Sequence, residues 1–284
     1  MRETSNLVGQ GAMSVMLLVA VGAAPPCRAA GILSSSTPLD QGFRQMYDLQ
    51  FEEAHRTFNE WEQMHPDDPL GATSDAAAYL FAELDRLGVL QWQLFLDDEE
   101  FKQSKRLAPN PVTKQDFDKA LARSERVANA VLARSPQDRN ALLARVMNLG
   151  LLSDYLALVE KRYLASLGYT KSAGILAQKL LTIDPSCYDA YLAIGVENYI
   201  LGLKPALVRW VLRIYGAQTD KDQGIQKLRL TAEKGHYLLP LAQLLLAVAA
   251  LRDKDSKQAR ELLTGLAQEF PDNGLYRREL NRLR

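Results

Sequence analysis

Cysteine and histidine are scarce in this chain of 284 residues: two of the first and three of the second are its whole supply of thiol and imidazole. Neither His55, His65 nor His236 has a His, Cys or carboxylate neighbour at metal-ligand spacing, so no metal site is expected, and no cofactor fingerprint occurs. A glycine-framed serine nucleophile, a phosphate-cradling loop and a dinucleotide motif are all missing, and the 17 glycines are scattered. Charge of one sign is lacking too, with 34 Lys and Arg against 34 Asp and Glu, which excludes a general nucleic-acid binder. Sustained apolar–polar alternation is absent, and with it the signature of strands. What remains is a chain 47% apolar with only 12 prolines, enough to bury a large core. An enzyme is not expected, because no activated nucleophile or acid–base pair stands out. The acid run Asp97 to Glu100 lacks the alternating oxygen ligands of a calcium loop and reads as a solvated loop.

Residues 1–29 have the order of an export signal. Arg2 and the amino terminus are basic, Ala12 to Ala24 is apolar or small except for Ser14, and Cys27-Arg28-Ala29 places a cut before Ala30. The apolar stretch is shorter than the ~20 residues that span a bilayer, so a removed peptide is expected, with an uncleaved anchor as the alternative. Removal leaves 32 basic and 33 acidic residues and Cys187 alone, so no internal disulfide can form. The expected organisation is a signal peptide (1–29), a flexible segment (30–37) and one domain (38–284), periplasmic or secreted.

One spacing recurs through that domain. Ala54, Phe58, Trp61 and Pro66 stand at intervals of four, three and five; so do Ala173, Ala177, Leu180 and Pro185, and Ala259, Leu263, Leu266 and Pro271. Ser124, Ala128, Val131 and Pro136 repeat it more loosely. Intervals of four and three put three residues on one helical face, and a proline five further on ends the helix for want of an amide hydrogen. The small first residue lets a partner helix cross closely. First-helix patterns follow, as in Tyr191, Ile194, Gly195, Asn198 and Tyr199, and in Leu246, Ala247, Ala250 and Leu251. Arg139 to Leu167 reads as one helix or as two broken at Gly150, and Asp97 to Pro111 as a loop with a Pro-Asn-Pro stop.

These residues resemble the tetratricopeptide repeat (TPR), a pair of helices in which W-x2-LG-x2-Y is followed by A-x3-F-x2-A-x4-P. The resemblance covers 42–66, 120–149, 168–199 and 243–281. The prolines are 70, 49 and 86 residues apart, so only the first gap is close to two whole repeats. The resemblance implies an all-α, right-handed solenoid of antiparallel helix pairs, acting as a non-catalytic scaffold that grips a protein or peptide in its concave groove. Outward residues of the first helices are then the partner-binding candidates: Asn148, Tyr155, Glu197, Asn198 and Tyr199. The alternative is a helical carrier enclosing a lipid or other apolar ligand, peripheral to a membrane.

Residues 201–228 (LGLKPALVRWVLRIYGAQTDKDQGIQKL) are similar, more locally, to the TPR family of the yeast inclusion-body clearance protein. Arg209 and Arg213 are four apart in an otherwise apolar run holding Trp210. This is an interfacial-helix pattern, or a helix wedged between repeats with its Arg stems at an edge.

Overall fold

The computed structural model describes residues 37–89, 108–202 and 220–283. The proposed signal segment, the acid run Asp97 to Glu100 and the candidate interfacial residues Arg209, Trp210 and Arg213 lie outside the described residues. Within them stand eleven α-helices and no strand: α1 (Pro38–Tyr47), α2 (Phe51–Met64), α3 (Leu70–Arg86), α4 (Pro111–Arg134), α5 (Arg139–Asp154), α6 (Tyr163–Ile183), α7 (Tyr191–Gly202), α8 (Lys221–Lys234), α9 (Leu239–Arg252), α10 (Ser256–Glu269) and α11 (Gly274–Arg282). Successive helices pack as pairs, α1 with α2 through α9 with α10, and α11 covers the open end of the last pair.

Each element of the recurring spacing has the role its chemistry requires. Ala54, Phe58, Ala128, Ala177, Leu180, Ala259, Leu263 and Leu266 are fully buried in the second helices. At the proline turns the same bond recurs: Asp68 N–H donates to His65 O, Asp138 to Ser135, Cys187 to Asp184 and Asn273 to Phe270, at 3.0–3.2 Å. Three of these turns then cap the next helix, with Asp68, Asp138 and Asn273 accepting from the amides of Leu70, Ala141 and Leu275. The loose match at Ser124 also has a cause. Its hydroxyl is 2.7 Å from that of Thr73 and accepts from Asn148 Nδ2 at 2.8 Å, so a serine ties α3, α4 and α5 where alanine could not.

A fifth pair escapes the spacing because it breaks it twice. In α8 the intervals of four, three and five fall on Gly224, Leu228, Thr231 and His236, with glycine for alanine and histidine for proline. Gly224 is forced: a Cβ there would lie 2.6 Å from Tyr199 N and 2.9 Å from Gly195 O of α7. His236 cannot be proline because its own N–H donates to Asp189.

Three expectations need correction. Among the described residues, the 70 between Pro66 and Pro136 hold one pair, whose second helix, α4, is 24 residues long. The break after α5 is not at Gly150. The helix runs to Asp154, widens into a π turn at Tyr155–Val159 and reverses at Lys161, whose φ is 57°. Pro-Asn-Pro is a start rather than a stop, since Asn110 caps α4 and Pro111 is its first residue.

Candidate interaction surface

An open solenoid presents its first helices to solvent on the concave side. In this chain those helices are covered instead. Eight consecutive residues of α3, Gly71 to Ala78, are buried, and so is nearly every residue of Ala141 to Asn148 in α5. The first pair lies against the last. Phe43 stacks on Tyr237 with centroids 4.7 Å apart, Tyr47 packs against Phe270 at 5.5 Å and meets the Phe81 ring edge-on at 5.9 Å. Polar links close the seam around these rings. Tyr47 O–H donates to Tyr237 O, Asn273 Nδ2 to Tyr47 O, Asp272 N–H to Asp48 Oδ1 and Arg44 to Glu269. The cavity left at the seam is about 20 Å³, lined by Met46, Tyr47, Phe81, Leu244 and Tyr276 among others, which is room for one water.

The turn before α9 is the hub of this closure. Buried Asp189, in the short 3₁₀ turn before α7, accepts from three successive amides, His236, Tyr237 and Leu238. Burial pushes its carboxyl up, and those three N–H groups oppose the shift. The same turn presents His236, whose Nε2 is 2.5 Å from buried Asp40 of α1. One carboxylate thus joins the fourth pair to the fifth, and one imidazole joins both to the first.

The five candidate groove residues are not outward. Asn148 is 1% exposed, Tyr155 2%, Glu197 3%, Asn198 1% and Tyr199 9%. Asn148 serves the Ser124 bridge. Tyr155 stacks on Phe117 at 5.0 Å beneath Lys114, and burial raises its hydroxyl pKa well above the usual value. Glu197 fills the space over Gly174 of α6, where a Cβ would meet its carboxylate. Tyr199 lies at the crossing with α8, where its backbone faces Gly224, and Asn198 beside it is buried. These five side chains face neighbouring helices and line no open groove.

A convergent set of titratable groups exists elsewhere. His55 Nδ1 lies 2.6 Å from Asp75, whose other oxygen accepts from Arg123 at 2.8 Å, and Arg123 also pairs with Glu62. Tyr79 lies across the His55 ring. These contacts tie α2, α3 and α4 together, so the arrangement is a brace. Cys187 is inert by the same logic: it is buried, and burial pushes its thiol up against the opposing pull of Arg139.

What stays open is a cleft of about 410 Å³ where the turns after α2 and α4 come together. Met64, His65, Pro66, Asp67, Asp68, Pro69, Asp138 and Asn140 line it. Met64 is 57% exposed at its edge, a large apolar side chain with little cover. Asp67 reaches into solvent, where Arg134 lies 3.4 Å away.

These pairs, joints and turns define the class. The architecture is a TPR-like helical solenoid. No protein-family model and no curated protein matches the chain. Among solved structures it is similar to a thermophilic TPR protein of Thermus thermophilus, with 14% identity over 87% of this chain and 96% of that one and a TM-score of 0.45.

Proposed function

We propose that this TPR-like protein is a non-catalytic protein-interaction scaffold of the cell envelope, exported by residues 1–29 and cut before Ala30. The observation that carries the binding role is the use made of the buried polar groups. Asp75, Asp189, Ser124 and Asn148 each join one helix pair to another, which makes a rigid platform and leaves recognition to its rim. The partner contact accordingly moves from the concave groove to the cleft at Met64, Asp67 and Asn140. An apolar side chain beside an exposed carboxylate fits a peptide of the partner that offers one apolar and one basic residue. The basic start, apolar stretch and small residues of 1–29 support the location. The carrier alternative has no comparable support among the described residues, since the seam cavity has room for only a water.

A photo-cross-linking side chain placed at Met64 or Asn140 in the natively expressed protein tests this reading. One protein adduct is expected at both positions, none at Asp255 on a distant turn, and the Asn140 adduct should vanish with Asp67→Lys. Equal labelling at all three positions, or a lipid adduct alone, would overturn the scaffold. An intact Met1 on the mature protein would overturn the export step.

A further inference from the structure

Starting α4 uses only part of the Pro-Asn-Pro run. Asn110 is turned inward: its side chain accepts from the amides of Val112 and Thr113, its carbonyl accepts from Lys114 N–H, and its own N–H donates to Glu83 at 2.8 Å. Glu83, on α3, is 1% exposed and also holds Arg86, which donates to Ala108 O at 2.7 Å. This clasp fixes the backbone on both sides of Pro109.

The side chains left over are apolar and face water. Ala108, Pro109, Pro111 and Val112 are all exposed, Val112 to 63%, and none of them packs into the hydrophobic clusters. Exposed prolines of other turns stand among polar neighbours, Pro66 between His65 and Asp67, Pro136 between Ser135 and Gln137, and Pro185 between Asp184 and Ser186. At 108–112 the polar residue is the one withdrawn, and the apolar ones are on display.

The backbone indicates what covers them. Asn110 has φ −77° and ψ 117°, extended as a residue before proline must be, and each proline holds its own φ at about −65°. This is close to the polyproline II form, whose ridge of rings fits grooves lined by aromatic side chains. Strand pairing, the other way to meet an extended segment, needs free amides. The prolines have none, and those of Asn110 and Val112 are engaged. A ridge already held in shape loses little entropy on docking.

We propose that residues 108–112 form a docking ridge for a partner protein, which receives Pro109, Pro111 and Val112 in a groove lined by aromatic side chains. The ridge lies at the opposite end of the 24-residue α4 from the cleft at Met64, about 35 Å along the helix, so the two sites stand or fall separately.

The test is a photo-cross-linking side chain at exposed Gln115, one turn beyond Val112, in the natively expressed protein, with the adduct mapped by mass spectrometry. One protein adduct is expected, joined at a segment of the partner that carries aromatic residues. Pro109→Ala with Pro111→Ala should lower its yield about tenfold while the helical circular-dichroism signal is unchanged. A peptide of residues 105–115 should compete for the adduct, and the same peptide with both prolines replaced by alanine should not. Where the proline substitutions destabilise α4, Val112→Glu serves in their place, since that side chain is already in water. An adduct at Gln115 without one at Met64 would support the ridge and sink the cleft. No protein adduct, a yield that neither the substitutions nor the peptide lowers, or joining to a segment without aromatic residues or to a second copy of this chain would overturn the ridge.

Discussion

The joints between neighbouring helices of the array and the seam between the first pair and the last are built differently. At a joint the contact is one of shape: a small residue, Ala54, Ser124, Ala173, Gly224 or Ala259, lets backbones approach, and the bonding is repeated from turn to turn. At the seam the contact is one of reach. Aromatic rings and long polar side chains bridge α1 to the turns before α9 and α11, and each link occurs once. Shape can be repeated along a solenoid because every pair meets its neighbour alike. Closure is a single event, and it changes what the inner helices do, from lining a groove to filling a core.

Phe43 belongs to both contacts, packing on Phe58 of its own pair and on Tyr237 across the seam. Phe43→Ala should therefore have the largest effect, a loss of roughly 3–5 kcal/mol in denaturant unfolding. A loss under about 1 kcal/mol would mean that the seam is loosely packed. Gly224→Ala strikes a joint alone. Its methyl would meet the backbone of Tyr199, not a movable side chain, so a loss of about 3 kcal/mol is expected, and a neutral result would show that α7 and α8 are free to separate.

The third prediction concerns a residue in neither contact. Burial pushes the carboxyl of Asp154, at the end of α5, up to about 7. A carboxyl with a raised folded pKa binds more protons folded than unfolded between about pH 4 and 7, so its stabilising effect is complete below about 4 and fades as pH rises through 7. Asp154→Asn should gain roughly 2–3 kcal/mol at pH 8 and almost nothing at pH 4, measured by melting at both. A gain that does not change with pH would show that desolvation of the ionised carboxylate is not its origin. The smallest effect is expected at the seam's rim, where Gln50 reaches Asp272 in solvent. Gln50→Ala should cost under about 0.5 kcal/mol, and a larger loss would make the rim, not the ring stack, the seam's anchor.

The contrast between joint and seam also decides what can be read from the sequence. Ala54 to Pro66 and its repeats lie within one helix and its turn, so their spacing carries the fold and three of the pairs outright. The pair at α7 and α8 stays hidden because Gly224 and His236 answer to particular neighbours, Tyr199 and Asp189. The seam joins residues such as Arg44 and Glu269, 225 positions apart, and no local period records that. The pattern alone puts Asn148, Tyr155, Glu197, Asn198 and Tyr199 on an open groove, whereas neighbouring helices cover them, with Ser124 against Asn148, Phe117 against Tyr155 and Gly174 against Glu197.

The most direct test of a closed solenoid is a short thiol-reactive cross-link between Gln50→Cys and Asp272→Cys, in a chain with Cys27 and Cys187 replaced by Ser. Glu62→Cys with Arg123→Cys, across a contact within the array, is the control. Closure predicts that both pairs bridge within a monomer and at similar rates. Bridging of the control pair alone would show an open solenoid, and its concave groove would then be free for a partner.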